Sequence, residues 1–318
     1  MNEVFDASET SRNGGKSRRE ALECMVWAGA GVLWTVTGGV PHSRLIGAAE
    51  AATESDATFS FLQISDSHIG FNHPPNTDTP GTLQAAIALV NAQKSNAGLM
   101  IHTGDVSHLS KAKQFDTADQ IIRGARLDTH YVPGEHDVLF DDGKAFFARF
   151  APKAPRGWYS FDQAGVHFIA LNNVQNFKAG GMGNLGADQL DWLAKDLEGR
   201  SASQPIVVFA HVPLWTVSEA WGWGTADAGQ ALTLLRRFGS VTVLNGHIHQ
   251  IMQKVEGNCA FHTARSTAFP QPAPGTAASP GPMKNVPPGH LRAMLGITKV
   301  TRVRTATPLA IIDTTLAA

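Results

Sequence analysis

Two cysteines in 318 residues give no basis for a disulfide-stapled scaffold. Cys24 falls in the leader described below, which leaves Cys259 as the one thiol of the remaining chain, so stability has to come from a hydrophobic core. Charge is also scarce. At 17% charged residues and a formal net charge of -1, the chain lacks the basic surface of a polyanion binder and the acidic excess of a disordered solvator, and no nucleic-acid partner is indicated. No internal repeat is present. The most apolar run, residues 25–40, is 16 residues long, short of the roughly 18–20 needed to span a bilayer. What is abundant is hydrophobic content, 43%, and histidine, thirteen of them, unevenly placed. The first suits an ordinary globular chain with one large domain or two small ones.

Residues 1–16 are polar and rich in Gly and Ser, SRREAL follows with Arg18 and Arg19, and the apolar run comes next, with small residues at 48–52. This layout resembles a twin-arginine export signal, with Ala21 and Glu23 standing where a bulky apolar residue and a Lys are common. It implies a signal and leader over residues 1–51, the twin-arginine translocase as a partner during export, periplasmic localisation, and membrane association only through an uncleaved signal. That route carries folded proteins, so metals can be loaded beforehand.

Residues 52–318 are expected to form one domain. FSFLQIS (59–65) reads as a buried strand that runs into Asp66, Ser67 and His68. A helix follows from about Pro80, capped by Thr79, with Leu83, Ala86, Ile87 and Val90 on its apolar face. The pattern repeats: LMIHT (99–103) delivers Asp105 and His108, a helix passes through Phe115, Ile121 and Ile122, and a strand at 129–132 delivers VPGEHD. Alternating strands and helices argue for an α/β fold with its functional loops at the carboxyl ends of the strands. A hairpin at 158–172 breaks the alternation and points to a second sheet. Beyond it lie a helix at 186–199, the strand PIVVFA delivering His211, an aromatic loop with Trp215, Trp221 and Trp223, and the strand VTVLN delivering His247 and His249. A hairpin over 251–263, a Pro-, Gly- and Ala-rich loop at about 270–289, and strands at 298–304 and 309–314 close the chain.

Each cluster alone is weak. A lone histidine at a strand end, such as His211, is more often a hydrogen-bonded loop residue, and His102, His130 and His167 lie inside strands and are assigned to packing. His73 and His262 stay open. Together, DxH at 66–68, GDxxH at 104–108, GEHD at 134–137, His211 and GHxH at 246–249 form an ordered set of N and O donors, each ending a strand. Imidazole with carboxylate suits Zn, Fe, Mn or Ni rather than Ca or Mg alone. Seven side chains exceed what a mononuclear catalytic site uses.

In these motifs the chain resembles the calcineurin-like metallophosphoesterases, whose ordered signatures are DxH, GDxxx, GNH(D/E), an isolated His and GHxH. The resemblance covers about residues 59–255 and implies a four-layer α/β/β/α sandwich with two central mixed sheets. It implies two divalent or mixed-valence transition metal ions (Fe, Mn or Zn), one held by Asp66, His68 and His249, the other by His211, His247 and the side chain at 135, with Asp105 bridging. His136 takes the place of the catalytic histidine, with His108 a candidate support for it and Asp137 a support either for the loop or for His136. Two metals ~3.5–4 Å apart lower the pKa of a bridging water and clamp the entering and leaving oxygens of a phosphoryl displacement. The implied activity is phosphate ester hydrolysis, of monoesters or diesters, by attack of a metal-bridging hydroxide on a small-molecule phosphoester. The alternative is a non-catalytic metal- or ligand-binding periplasmic protein on the same scaffold.

Two departures bear on chemistry. Glu135 stands where the family has Asn. Ionised, it is acceptor-only and cannot donate to a phosphate oxygen, and its charge opposes a dianionic monoester more than a monoanionic diester. This implies a bias toward diesters, or toward a more highly charged metal pair. His108 stands where relatives often have Asp, as a further ligand or as support for one. The three tryptophans are either an aromatic wall for a planar substrate group or a loop packed by its own rings. Arg265 and His262 are candidate phosphate contacts.

Overall fold

The computed structural model describes residues 31–37, 40–46, 57–175, 177, 181–303 and 309–317. Two compact units divide at Ala51 and Ala52. In the first, β1 (Gly31–Thr37) pairs antiparallel with β2 (Val40–Ile46). Arg18, Arg19 and the small residues at 48–52 lie outside the described residues.

The second unit is layered by side-chain alternation along its strands. On β3 (Ala57–Ile64), Phe59 and Phe61 face one way and Leu62 and Ile64 the other. Phe59 and Phe61 meet Phe168 of a second sheet, Phe61 edge-to-face at 5.2 Å, in a core that also holds Leu99, Val207 and Phe209. Leu62 and Ile64 pack under helices instead, with Leu83, Val90, Phe115 and Phe146. Strands buried on both faces carry the near-continuous apolar runs seen in the sequence.

The first sheet has the order β13-β12-β3-β4-β5, with β4 (Ala97–His102) and β5 (Thr129–Tyr131) parallel to β3, and β12 (Gly296–Val303) and β13 (Ala310–Thr315) antiparallel at its other edge. Covering it are α1 (Thr79–Gln93), α2 (Ala112–Ile122) and α3 (Lys144–Phe150). Asp78 caps α1, its carboxylate accepting from the Gly81 amide at 2.8 Å, one residue before the Thr79 cap expected from sequence. The second sheet has the order β10-β11-β9-β8-β7-β6. Its parallel centre is β7 (Val166–Ala170), β8 (Ile206–Phe209), β9 (Val241–Asn245) and β11 (Cys259–Thr263), with β6 (Tyr159–Gln163) and β10 (Gln253–Glu256) antiparallel at the edges. Its outer face is covered by α4 (Ala187–Leu197) and α5 (Ala228–Leu235). The four-layer α/β/β/α sandwich with two mixed sheets is therefore present. Residues 271–290 run largely without helix or strand, and the four-residue α6 (Leu291–Met294) precedes β12.

His262 is not a substrate contact. It is fully buried on β11, and its Nε2 lies 3.0 Å from Asp313 on β13 of the other sheet. Arg265, whose Nη1 donates to the Met294 carbonyl, belongs to the same seam. Burial works against the Asp313 charge, but His262 and the Thr298 hydroxyl outweigh it and hold the carboxyl below its ordinary value. A depressed carboxyl pKa contributes stability above its unfolded value of about 4, lost as pH falls through the lower folded value. Asp313→Asn is expected to cost about 1–3 kcal/mol near neutrality, with the gap to wild type closing in strong acid, as read from denaturation midpoints against pH.

The aromatic-wall reading also fails. Trp223 is 1% exposed and meets Trp221 edge-on at 4.9 Å, while Trp215 packs on Phe261 beneath the second sheet. The loop is packed by its own rings. His102, His130 and His167 pack as expected. His102 lies between Ser67 and the Gly104 amide, His130 stacks on Phe161 at 3.9 Å, and His167 is buried between Asp162 and Asp196.

Candidate metal centre

Five strands, β3, β4 and β5 of one sheet and β8 and β9 of the other, end at one edge of the sandwich and pass into the candidate residues, with left-handed turns after β3, β4 and β9. Asp66, His68, Asp105, His247 and His249 have φ of 52°, 40°, 53°, 68° and 55°. Side chains other than glycine adopt this left-handed region in only a few per cent of cases. Such residues cost about 1–3 kcal/mol each and cluster where the surrounding structure needs them. Gly134 has its own reason to be glycine, because a Cβ there would run into the Asp105 amide nitrogen. That close approach sets the GEHD loop against the GDVSH loop.

The seven candidate ligands converge in two linked groups. Asp66, His68 and His249 form one, and Glu135, His211 and His247 the other. Asp105 lies between, its Oδ2 3.4 Å from both His68 Nε2 and His211 Nε2. Neither group comes from a single sheet. Backbone amides fix the carboxylates from behind, His136 N donating to Asp105 Oδ1 at 3.0 Å and His247 N to Asp66 Oδ1 at 3.1 Å.

Main-chain carbonyls set two of the histidine tautomers. His211 Nδ1 donates to the Thr103 carbonyl at 2.6 Å and His249 Nδ1 to the Phe269 carbonyl at 2.6 Å, so in the neutral rings each Nε2 presents a lone pair. Those lone pairs face other acceptors. His211 Nε2 is 2.8 Å from Glu135 Oε2 and His249 Nε2 is 3.2 Å from Asp66 Oδ1, and His247 Nδ1 is 3.0 Å from Glu135 Oε1. Glu135 Oε2, His211 Nε2 and His247 Nδ1 are buried and, despite these distances, make no hydrogen bond. Acceptors crowded this way need positive charge among them, and the donor set fits transition metal ions. The electrostatics agree. Burial opposes charge on both groups, yet Asp105 and Glu135 raise His211 well above its ordinary pKa, and His247 and His211 hold Glu135 well below its own.

His136 is half-buried beside this cluster. Its Nδ1 donates to the His108 carbonyl at 2.7 Å and its ring stacks on that of His108 at 4.8 Å, so Nε2 is the nitrogen left for the site. Burial opposes its protonation, but Asp105 and Glu135 raise its pKa. Behind the His136 ring stands a main-chain carbonyl rather than a side-chain carboxylate. Burial, then His136, push His108 itself down to about 4.

Asp137 is fully buried and faces the loops rather than His136. One oxygen accepts from the Ser107 amide and hydroxyl, the other from the amides of Val106 and Gly134, at 2.8–3.1 Å. Burial and the Asp105 charge push its pKa up to about 7 against the pull of those donors. Its place is behind the site, tying the second and third loops together.

Several contributors had no signal in the sequence. Phe269 supplies the His249 acceptor and stacks on His68 at 4.8 Å; Gln271 donates to the His247 carbonyl, and the Ser266 hydroxyl to that of Asp66. The start of the Pro-rich segment thus backs two ligand loops.

Residues 59–251 match the family model for the calcineurin-like phosphoesterases. The chain belongs to that family. This metallophosphoesterase is accordingly a metal-dependent phosphoric ester hydrolase. Among its relatives is a 3′,5′-cyclic-nucleotide phosphodiesterase of Nostoc sp., 23% identical over 216 residues, 66% of this chain and 79% of the relative. Another is a probable cyclic nucleotide phosphodiesterase of Rhodopseudomonas palustris, 24% identical over 200 residues, 60% of this chain and 71% of that one. Among solved structures, a purple acid phosphatase from yellow lupin superposes with a TM-score of 0.60 at 13% identity, over 81% of this chain and 52% of that one. A dimetal phosphatase from Danio rerio reaches 0.56 at 14%, over 82% and 99%. At those identities the two structures speak for the fold alone.

Proposed function

We propose that this metallophosphoesterase is an exported phosphodiesterase acting on small phosphodiesters of the cyclic-nucleotide class. Asp66, His68 and His249 hold one ion, Glu135, His211 and His247 hold the other, and Asp105 contributes to both. The observation carrying this reading is the carboxylate of Glu135, set against His211 and His247 with buried, unpartnered polar atoms on all three. The names of the bacterial relatives support the substrate class. Bound there, the pair of cations supplies Lewis acidity to the phosphoryl oxygens and acidifies a water for attack. The chain's own residues do the rest. His136, its Nδ1 committed to the His108 carbonyl, directs Nε2 at the leaving oxygen as proton donor. Glu135 adds negative charge and offers no donor to the phosphate, which disfavours a dianion relative to a monoanion. Export is supported by the paired Arg18 and Arg19 ahead of the apolar run.

Chelated protein reconstituted with Mn, Zn or Fe is expected to hydrolyse a 3′,5′-cyclic nucleotide and a chromogenic diester. Two ions bound with no turnover under any metal would instead mean a binding protein. In a paired assay with the monoester and diester of one alcohol, Glu135→Asn should lower the diester-to-monoester ratio by about tenfold. Wild-type turnover of the monoester equal to or above that of the diester would rule out the bias.

A further inference from the structure

His68 carries its non-coordinating nitrogen in an unusual setting. Its Nε2 points at Asp105 Oδ2 and at His249 Nε2, 3.2 Å away. A ligand at Nε2 takes that lone pair and obliges the neutral ring to carry its proton on Nδ1. Metal-binding histidines normally hand that proton to a carboxylate, a main-chain carbonyl or water, which orients the ring and raises its basicity. His211 and His249 do so through the Thr103 and Phe269 carbonyls. His68 does not, because its Nδ1 lies 3.3 Å from Nδ1 of His108, another imidazole.

We propose that His108 is a positioning residue for the Asp66/His68/His249 ion, accepting the Nδ1–H of His68 on its own Nδ1 and so fixing the ring that delivers Nε2 to the metal. The acceptor role assigns the His108 proton to Nε2. His108 is built for this. Its ring is wedged edge-on to Phe71 at 5.3 Å, stacked on His136 at 4.8 Å and tilted 65° to His68, which leaves it little freedom to turn. Phe269 also stacks on His68, at 4.8 Å. One residue therefore sets two groups by separate means, the imidazole of His68 through its side chain and that of His136 through its carbonyl. A side-chain substitution at 108 removes the first contact and keeps the second.

The inference rests on the two-ion reading, and the wild type tests that first. Apoprotein titrated calorimetrically with Mn(II) should bind two ions per chain; fewer than two overturns both the reading and this proposal. His108→Leu keeps bulk against Phe71 and His136 but removes the acceptor, and should weaken one of the two binding steps by about 10- to 100-fold while leaving the other unchanged. His108→Asn, whose Oδ1 falls near the lost Nδ1, should recover most of that affinity. In Co(II)-substituted protein the exchangeable Nδ1 proton of His68 should give a hyperfine-shifted resonance in wild type and His108→Asn, absent from His108→Leu through solvent exchange. A leucine variant that titrates like wild type, or an asparagine variant no better than leucine, overturns the assignment of His108 to His68.

Discussion

Asp105→Asn is expected to lower phosphodiester turnover by about a thousandfold or more and to leave the protein folded but short of metal. The geometry shows why so conservative a change has so large an effect. Asp105 Oδ1 is already committed to the His136 amide, and Oδ2 is the atom that faces both His68 and His211. An asparagine has one carbonyl oxygen. If that oxygen keeps the His136 amide, the NH2 group is turned toward the two histidines, where a donor repels a cation. If it turns the other way, the loop that carries His136 loses its anchor. The charge between the two ligand groups is lost in either case. Metal content by emission spectroscopy beside a single-substrate rate decides the matter. Both ions retained, with activity within tenfold of wild type, would show that Asp105 does not link the two groups.

Asp137→Ala should have the largest effect on stability, about 3–5 kcal/mol, seen as a lower urea midpoint with an unchanged slope. The carboxylate meets four donors in a fully buried position, and alanine leaves three amides without an acceptor and the Ser107 hydroxyl with only the His136 carbonyl, 3.5 Å away. Asp137→Asn, with one oxygen in place of two, should lie between. Both variants should lose activity beyond their loss of stability, because the loops carrying Asp105 and His136 are held in register through this side chain. A loss below about 1 kcal/mol for the alanine variant would mean that water replaces the carboxylate at little cost.

The parts of the centre that could be read from the sequence are those written in side chains. Asp66, Asp105, Glu135, His211 and His247 each follow a strand with a recognisable apolar pattern, and chain order alone brought them into one list. The parts that could not be read act through the main chain or through distant packing. The Thr103 and Phe269 carbonyls that orient His211 and His249 exist for every residue type and leave no mark. His262 has the composition of a site residue and the position of a structural one, because only the approach of β13 supplies Asp313 as its partner. The tryptophan loop was ambiguous for the same reason. Its rings are buried by Phe261 and by one another, neighbours that become neighbours only after the second sheet forms.

That neither ligand group belongs to one sheet has a consequence for how the molecule comes into being. His68 and His249, 3.2 Å apart at the centre, are separated by 181 positions in the chain. The second sheet and strands β3, β4 and β5 of the first can form from nearer segments, whereas β12 has to reach back to β3, with Thr298 opposite Gln63. No complete set of donors exists until the two sheets have docked, and closing such long loops is slow. The centre therefore cannot form before the two sheets have docked, and it is lost when they separate. In a refolding experiment the metal would act as a clock, its uptake timing the docking of the sheets rather than the formation of either one.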